Sequence, residues 1–334
     1  MRVPFGNLEY GPFMNNQVSR WLSEEVKEGR VTTPDRMELQ YFKAVQPQPD
    51  KSRGTVVIIH GHSEFFGKYH ELAYDFYDMG YSVFFLQFRG HGKSCHVSHD
   101  PEYIHVSSFL EYVTDIKTFM DNVVMKEKGS GPVILFAHSM GGCASGLFLE
   151  RHPGYFDSAI LCSPLCKLSF PKDSYWKGRI KLFYSGVMGW QDEAVQGMKR
   201  FDPNKIRCIP ATFSAVRYEY QFKQRVEEPE YRAHMTTYAW IRAAYQATQE
   251  LMAKLPVINI PVLLLSGTDD HMLDRKGHFD FQRMTGNTRL VEIENASHDI
   301  YSCSAEILEQ FWNAIDQFLA DLECDPDRDV RLTE

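Results

Sequence analysis

The feature that most constrains this chain is a regular alternation of short apolar runs with stretches of helical spacing. Gly54–His60 (GTVVIIH), Ser82–Phe88 (SVFFLQF), Val133–Ala137 (VILFA), Ser158–Cys162 (SAILC), Pro261–Ser266 (PVLLLS) and Thr288–Ile293 (TRLVEI) are short and mostly β-branched, aromatic or leucine-rich. Runs of this kind suit strands buried on both faces. Met37–Val45 alternates apolar and polar residues, as a half-exposed strand does. Between the runs, Tyr69–Met79 sets Leu72, Ala73, Phe76 and Met79 at helical spacing, and Gly80 stops it. Phe109–Met125 does the same with Val113, Ile116, Met120 and Val123. Further helices are expected over Gly141–Arg151 and over Ala305–Leu322, the latter with an apolar stripe from Leu308 to Leu322. Strands separated by helices pair mostly in parallel, and a parallel sheet needs both faces covered. The expected fold class is α/β.

The alternation pauses between Pro164 and Pro256, where 15 aromatic residues occur without a clear strand run and Tyr231–Ala253 reads as helix. The expected organisation is a core in two parts, residues 28–163 and 257–323, with residues 164–256 inserted as a mainly helical cap. Ligands of such sheets bind beyond the carboxyl ends of the strands, where an insertion would cover them. The chain carries a net charge of −8, which argues against nucleic-acid binding. The insertion is the reverse, with 15 Lys/Arg against 9 Asp/Glu, so an anionic substrate or anionic lipid surface is expected there. No window of 18 apolar residues suggests a membrane span, and Met1–Asn16 lacks the layout of a secretory signal. The seven cysteines are odd in number, and Cys162 and Cys166 have no second pair to complete a zinc pattern. Reduced thiols in a cytoplasmic protein are expected, with peripheral contact at the inner face of the membrane through the basic cap. The tail Asp325–Glu334 reads as charged and mobile. Nothing in the sequence sets the oligomeric state.

Residues 133–142 read VILFAHSMGG. A strand that runs directly into Ser139, with two glycines opening a helix, pushes the serine out on a sharp turn. Its hydroxyl then faces a cleft, and the helix N-terminus favours negative charge developing there. Ala137 and Gly141 supply the small neighbours that the tight turn needs, although glycine is usual at the position of Ala137. A serine hydroxyl needs a base to take its proton. His298 is the best placed of the 13 histidines, in NASHDIY after the last strand run. A third group must hold the imidazole tautomer. The segment GTDDHMLD after Pro261–Ser266 offers Asp269, Asp270 and Asp274. A metal reading of Asp269, Asp270 and His271 lacks further ligands, so neither metal nor cofactor is expected. Backbone donors for an oxyanion are expected at Met140 and, in HGHSE, at His62, where Gly61 lets the chain turn.

The segments HGHSEFFGKYHELA (60–73), FRGHGKS (88–94), AHSMGG (137–142), GTDDHMLD (267–274) and NASHD (295–299) resemble the serine hydrolases of the lysophospholipase and monoacylglycerol lipase family. The resemblance runs from about Met37 to Leu322. It implies an α/β-hydrolase fold, Ser139, Asp270 and His298 as catalytic triad, and His62 and Met140 as oxyanion donors. It also implies a lysophospholipid or monoacylglycerol ester as substrate. The family usually has Asp where this chain has Gln87, which alters the support of a loop. Other members of the fold are aminopeptidases and acyltransferases. A peptidase needs an acidic anchor, for which Glu219, Glu227 or Glu228 are candidates. A non-catalytic ligand-binding relative is a third alternative, against which the intact Ser/Asp/His set counts.

Overall fold

Two sheets organise the described residues of the computed structural model, which are 4–169, 188–205 and 212–324. The tail from Asp325 lies outside them. The large sheet is built from β1 (Lys27–Thr32), β2 (Glu38–Ala44), β3 (Gly54–Ile59), β4 (Tyr81–Leu86), β6 (Val133–His138), β7 (Ser158–Cys162), β9 (Val262–Gly267) and β10 (Thr288–Ile293). Their order is β1-β2-β4-β3-β6-β7-β9-β10. The β1–β2 and β2–β4 pairs are antiparallel, and every other pair in this sheet is parallel. The short strands β5 (Tyr103–Ile104) and β8 (Met235–Thr236) form a separate parallel pair.

The period of two within each strand divides its side chains between two cores. Val57 and Ile59 enter one, with the helices Leu110–Phe119, Met140–Arg151 and Tyr238–Lys254. Val56 and Ile58 enter the other, with His70–Asp78, Ala305–Glu323 and the N-terminal helices. Each such residue, fully removed from water, contributes roughly 1.5–3 kcal/mol. The expected α/β class and the strand runs are therefore observed.

Several elements escaped the sequence reading or change it. The edge strand β1 has no apolar alternation because only β2 pairs with it and most of it is solvated. The N-terminal segment holds the helices Asn7–Phe13 and Ser19–Glu24, joined by one wider π turn. Gly11 and Pro12 disguised it, but Tyr10, Phe13, Met14, Val18 and Trp21 are buried against the second core. Helices Ala215–Glu227 and Lys276–Met284 are mostly polar and were not anticipated. The helix expected over Tyr231–Ala253 begins only at Tyr238, where Thr237 Oγ1 accepts the Trp240 N–H at 3.2 Å as an N-cap. Met235 and Thr236 are instead spent on pairing with β5.

Between Cys162 and Val262 the described residues add no strand to the large sheet. The helix closing this stretch nevertheless belongs to the core layer. Its Ala243, Ala244, Ala247 and Leu251 are buried in the first core. Leu251 lies so close to Gly146 of the Met140–Arg151 helix that a Cβ there would come within 2.6 Å of it. At the other end, Arg217 of Ala215–Glu227 is buried and grips both oxygens of Glu71 at 2.6 and 2.8 Å. The same guanidinium donates to the Phe5 carbonyl at 3.2 Å and stacks on Tyr10 at 4.7 Å. The Ala215–Glu227 helix, the N-terminal segment and the His70–Asp78 helix are thus joined at one side chain.

Candidate active site

β6 ends at His138, and the Met140–Arg151 helix opens two residues later. Ser139 between them has φ 49° and ψ −117°, a conformation that non-glycine residues rarely hold without support. The support is local hydrogen bonding. The Ser139 N–H donates to Cys162 O at 3.1 Å, and its carbonyl accepts from Leu165 N at 2.9 Å and Cys143 N at 3.2 Å. Gly141 allows β3 to approach, since a Cβ would lie 2.6 Å from the Ile59 carbonyl. Gly142 does the same for Pro164, at 2.7 Å. Ala137, where glycine is usual, sits fully buried in β6.

His298 lies in the loop after β10, and Asp270 in the loop after β9. The Ser139 hydroxyl donates to His298 Nε2 at 2.8 Å, and His298 Nδ1 donates to Asp270 Oδ2 at 2.8 Å. The other oxygen of Asp270 accepts the N–H groups of Met272 at 2.8 Å and Leu273 at 3.3 Å. Asp269 points elsewhere and pairs with exposed His271 at 2.9 Å. The choice among the three aspartates therefore falls on Asp270 by geometry. Asp269 and His271 thus pair with each other while Asp270 faces His298. Among the described residues, the grouping close enough to share a cation is His138, His298 and Asp299. Both ring nitrogens of His298 are already engaged there.

Burial works against charge on His298, but the hydrogen bond and charge of Asp270, with Asp299 and Glu64 behind, raise its pKa above 6.5. Burial likewise pushes Asp270 up, and its bonds from His298 and Met272 overcome this and lower it. The pair is arranged to hold an imidazolium once a proton arrives.

Met140 is the first residue of its helix, where N–H groups have no acceptor within the helix. His62 follows Gly61 on the turn after β3. Its ring is not idle, as sequence alone left open. Nε2 lies 3.1 Å from Thr236 Oγ1 of β8, and the ring packs edge-on against Trp240 at 4.3 Å. Burial drops its pKa to about 3, so the ring is neutral.

The sequence reading missed a buried ionic cluster directly behind these groups. Glu64 accepts the Gly61 N–H at 2.5 Å, the Tyr301 hydroxyl at 2.7 Å, and the Lys68 ammonium and Tyr69 hydroxyl. His138 Nδ1 is 3.1 Å from the same carboxylate, and its Nε2 is 3.3 Å from the His298 carbonyl. Lys68 also binds Asp299 at 2.8 Å. Burial pushes Glu64 up, but the charge of Lys68 and the adjoining His138 hold it well below the usual carboxylate range. Glu64 stands in HGHSE, Asp299 directly follows His298 and Tyr301 comes two residues later, so nearness to the predicted site was the available signal.

Gln87 has a defined task. Its side-chain amide donates to the Glu64 carbonyl at 3.1 Å and to His60 Nε2 at 3.1 Å. That nitrogen also accepts the Phe88 N–H at 3.0 Å. An acceptor nitrogen requires neutral imidazole, and burial lowers the pKa of His60 to about 4. A neutral amide matches a neutral ring where the family's aspartate would bring a charge.

Ser139 and His298 open into a cavity of about 1000 Å³. One wall comes from the turn after β3, and another from residues 197–202, Lys205 and side chains between Phe213 and His234.

A parallel sheet covered on both faces, with serine on the strand-to-helix turn and the acid and histidine after later strands, defines the class of α/β hydrolases. The family described as "Serine aminopeptidase, S33" matches residues 50–302, and the chain belongs to it. Lysophospholipase L2 of Escherichia coli is 31% identical over 254 residues, covering 76% of this chain and 74% of that protein. A monoglyceride lipase homolog of monkeypox virus is 27% identical over 269 residues, covering 80% of this chain and 89% of its own. The crystal structure of Paleococcus ferrophilus monoacylglycerol lipase superposes with a TM-score of 0.60 at 22% identity, over 89% of this chain and 99% of that one. The chain is a carboxylic ester hydrolase.

The cluster predicts a pH signature. Glu64 has a depressed pKa in the fold, so its contribution is complete above its ordinary value of 4.5 and fades as pH falls below it. Glu64→Gln should destabilise the protein by about 3 kcal/mol or more at pH 7. The deficit in urea unfolding should shrink as the pH is lowered through the carboxylate range. A deficit independent of pH would show that the charge is not what matters.

Proposed function

We propose that this enzyme hydrolyses the acyl ester of a lysophospholipid or monoacylglycerol through an acyl-enzyme on Ser139. The observation that carries the reading is the Ser139–His298–Asp270 relay, joined by two bonds of 2.8 Å and opening on the large cavity. Ser139 Oγ attacks the ester carbonyl as His298 Nε2 takes its proton. The N–H groups of Met140 and His62 receive the oxyanion. His298 then protonates the departing glycerol oxygen, and the acyl group remains on Ser139. Water enters, gives a proton to His298 and attacks the acyl carbon. Ser139 leaves with that proton, and the fatty acid is released.

Residues 164–256 are the cap in this reading. Its Met198, Phe201, Phe213 and Phe222, with Phe65 from the core, give the cavity an apolar wall suited to an acyl chain. The names of the relatives support a lipid ester. Removal of an N-terminal residue, which the family description mentions, would need a carboxylate for the substrate's ammonium. Glu219, Glu227 and Glu228 do not line the cavity, and of the carboxylates that do, Glu64 and Asp299 share Lys68 while Asp202 accepts the Asn204 N–H at 2.9 Å. This weighs against the peptidase reading.

Among the described residues no helix is long and apolar enough to cross a membrane. Peripheral contact of the basic cap with an anionic membrane surface, at the cytoplasmic face, belongs to the same proposal. Co-sedimentation with vesicles containing an anionic phospholipid, weakened by salt, is the expected result. Equal recovery with neutral vesicles would remove this part alone.

Ser139→Ala should lower turnover of a p-nitrophenyl ester by about 10⁴-fold or more with the circular dichroism unchanged. Turnover close to wild type would sink the assignment. Asp270→Asn removes the charge that contributes most to raising His298, leaving the smaller effects of Asp299 and Glu64. The acid limb of the kcat/KM profile, where the base becomes protonated, should therefore move to lower pH. The plateau should fall by roughly 10³–10⁴-fold. An unmoved acid limb would mean that Asp270 does not set the basicity of His298.

A further inference from the structure

The N–H that would receive the oxyanion belongs to the peptide between Gly61 and His62, and the carbonyl of that same peptide is held by a side chain. His60 Nδ1 lies 2.7 Å from Gly61 O. The other ring nitrogen decides the tautomer. Nε2 receives the Phe88 N–H at 3.0 Å, and a backbone N–H can only donate, so the ring proton sits on Nδ1. His60 therefore donates to the Gly61 carbonyl. In a trans peptide the N–H points away from its own carbonyl, and no peptide bond of the described residues is cis. Fixing Gly61 O thus fixes the opposite direction for the His62 N–H. Among the described residues that N–H has no acceptor.

Gln87 holds this turn from both sides and is fully buried. Its Nε2 donates to His60 Nε2 and to the Glu64 carbonyl, each at 3.1 Å, and its Oε1 accepts the Phe66 N–H at 3.2 Å. These contacts leave the amide one orientation, because Glu64 offers it an oxygen and Phe66 a hydrogen. The next residues of the same loop add a second hold. Ser63 has a left-handed φ of 61°, and its N–H donates to His91 Nε2 at 3.3 Å. A carboxylate at position 87 would have no hydrogen to give. It would lose both donors and set its charge against the Glu64 carbonyl and the His60 lone pair.

We propose that Gln87 is a positioning residue for the reaction: through His60 it sets the Gly61–His62 peptide so that the His62 N–H faces the oxyanion formed at Ser139. This rests on the ester-hydrolase reading above and on its use of His62.

The probe is a long-chain alkyl trifluoromethyl ketone. Ser139 Oγ bonds to its carbonyl carbon, the hydroxyl proton passes to His298, and the carbonyl electron pair becomes an oxyanion at the turn. The corresponding trifluoromethyl alcohol fills the same cavity and forms no oxyanion. Both are measured as inhibitors of p-nitrophenyl ester hydrolysis in wild type, Gln87→Glu, Gln87→Met, His60→Ala and His60→Asn. Wild type should bind the ketone far more tightly than the alcohol. Each Gln87 variant should lower that preference about 10–100-fold, with kcat per fluorophosphonate-labelled site falling in parallel and KM unchanged. His60→Ala should do the same. His60→Asn, whose amide nitrogen can stand where Nδ1 stands, should recover part of the loss. Both inhibitors are read on one sample, so an unfolded fraction cancels, and a merely structural Gln87 would leave the ratio unmoved. A wild-type preference retained in both Gln87 variants, or a change in KM alone, would overturn the proposal. Should neither variant fold, the His60 pair decides, and His60→Asn no better than His60→Ala overturns it. Failure of the underlying reading looks different. Wild type would then turn over no ester, or bind the ketone no better than the alcohol, and the role of Gln87 would fall with it.

Discussion

A buried carboxylate normally costs the fold several kcal/mol unless it is fully partnered, and Glu64 turns that requirement into architecture. Its partners come from every part of the chain that meets at the site. They are the Gly61 N–H on the turn after β3, Lys68 and Tyr69 on the segment that follows, His138 before the serine, and Tyr301 after the histidine. None of these segments can shift without leaving an ion in low dielectric. The turn, the serine and the His298 loop are therefore held at fixed separations by one group that need not touch substrate. The strained backbone of Ser139 persists for the same reason, since its surroundings leave it no room to relax.

Electrostatic roles around the site divide by environment. His60 and His62 are buried and neutral, with pKa values pushed to about 4 and about 3, and act as acceptors and spacers. His298 is buried as well, yet Asp270 beside it moves its pKa in the opposite direction. Burial alone would have made all three alike. The placement of one carboxylate separates a histidine whose pKa is raised from two whose pKa values are lowered.

The described stretch between β7 and β9 is coupled to this framework. β8 pairs with β5, Thr236 meets His62, and Trp240 packs on the same ring. Arg225 reaches Ser63, and Arg217 ties the neighbouring turns to Glu71 and to the N-terminal segment. The segment that lines the cavity and the turn after β3 thus share contacts. Occupancy of the cavity and geometry of the reaction centre are linked through them.

What the sequence determined by itself is the part governed by local pattern. Apolar runs of strand length, helical spacing between them and two glycines after Ser139 can be satisfied in few ways, so the sheet, the elbow and the candidate histidine were legible. Polar elements were not. β1 is an edge strand, the Ala215–Glu227 and Lys276–Met284 helices have mostly solvated faces, and the N-terminal helices contain Gly11 and Pro12, so each lacks a periodic signal and is held by contacts made elsewhere. The boundary at Tyr238 moved because Met235 and Thr236 found a strand far away in sequence. The residue pattern by itself left Asp269, Asp270 and Asp274 open and the resemblance pointed to Asp270, whereas only the tertiary structure brought Glu64, Lys68, His138 and Asp299 together. Hydrogen bonds and charge pairs act over a few ångströms in space, and the folding of the sheet alone brings positions 64, 138, 270 and 298 within that range.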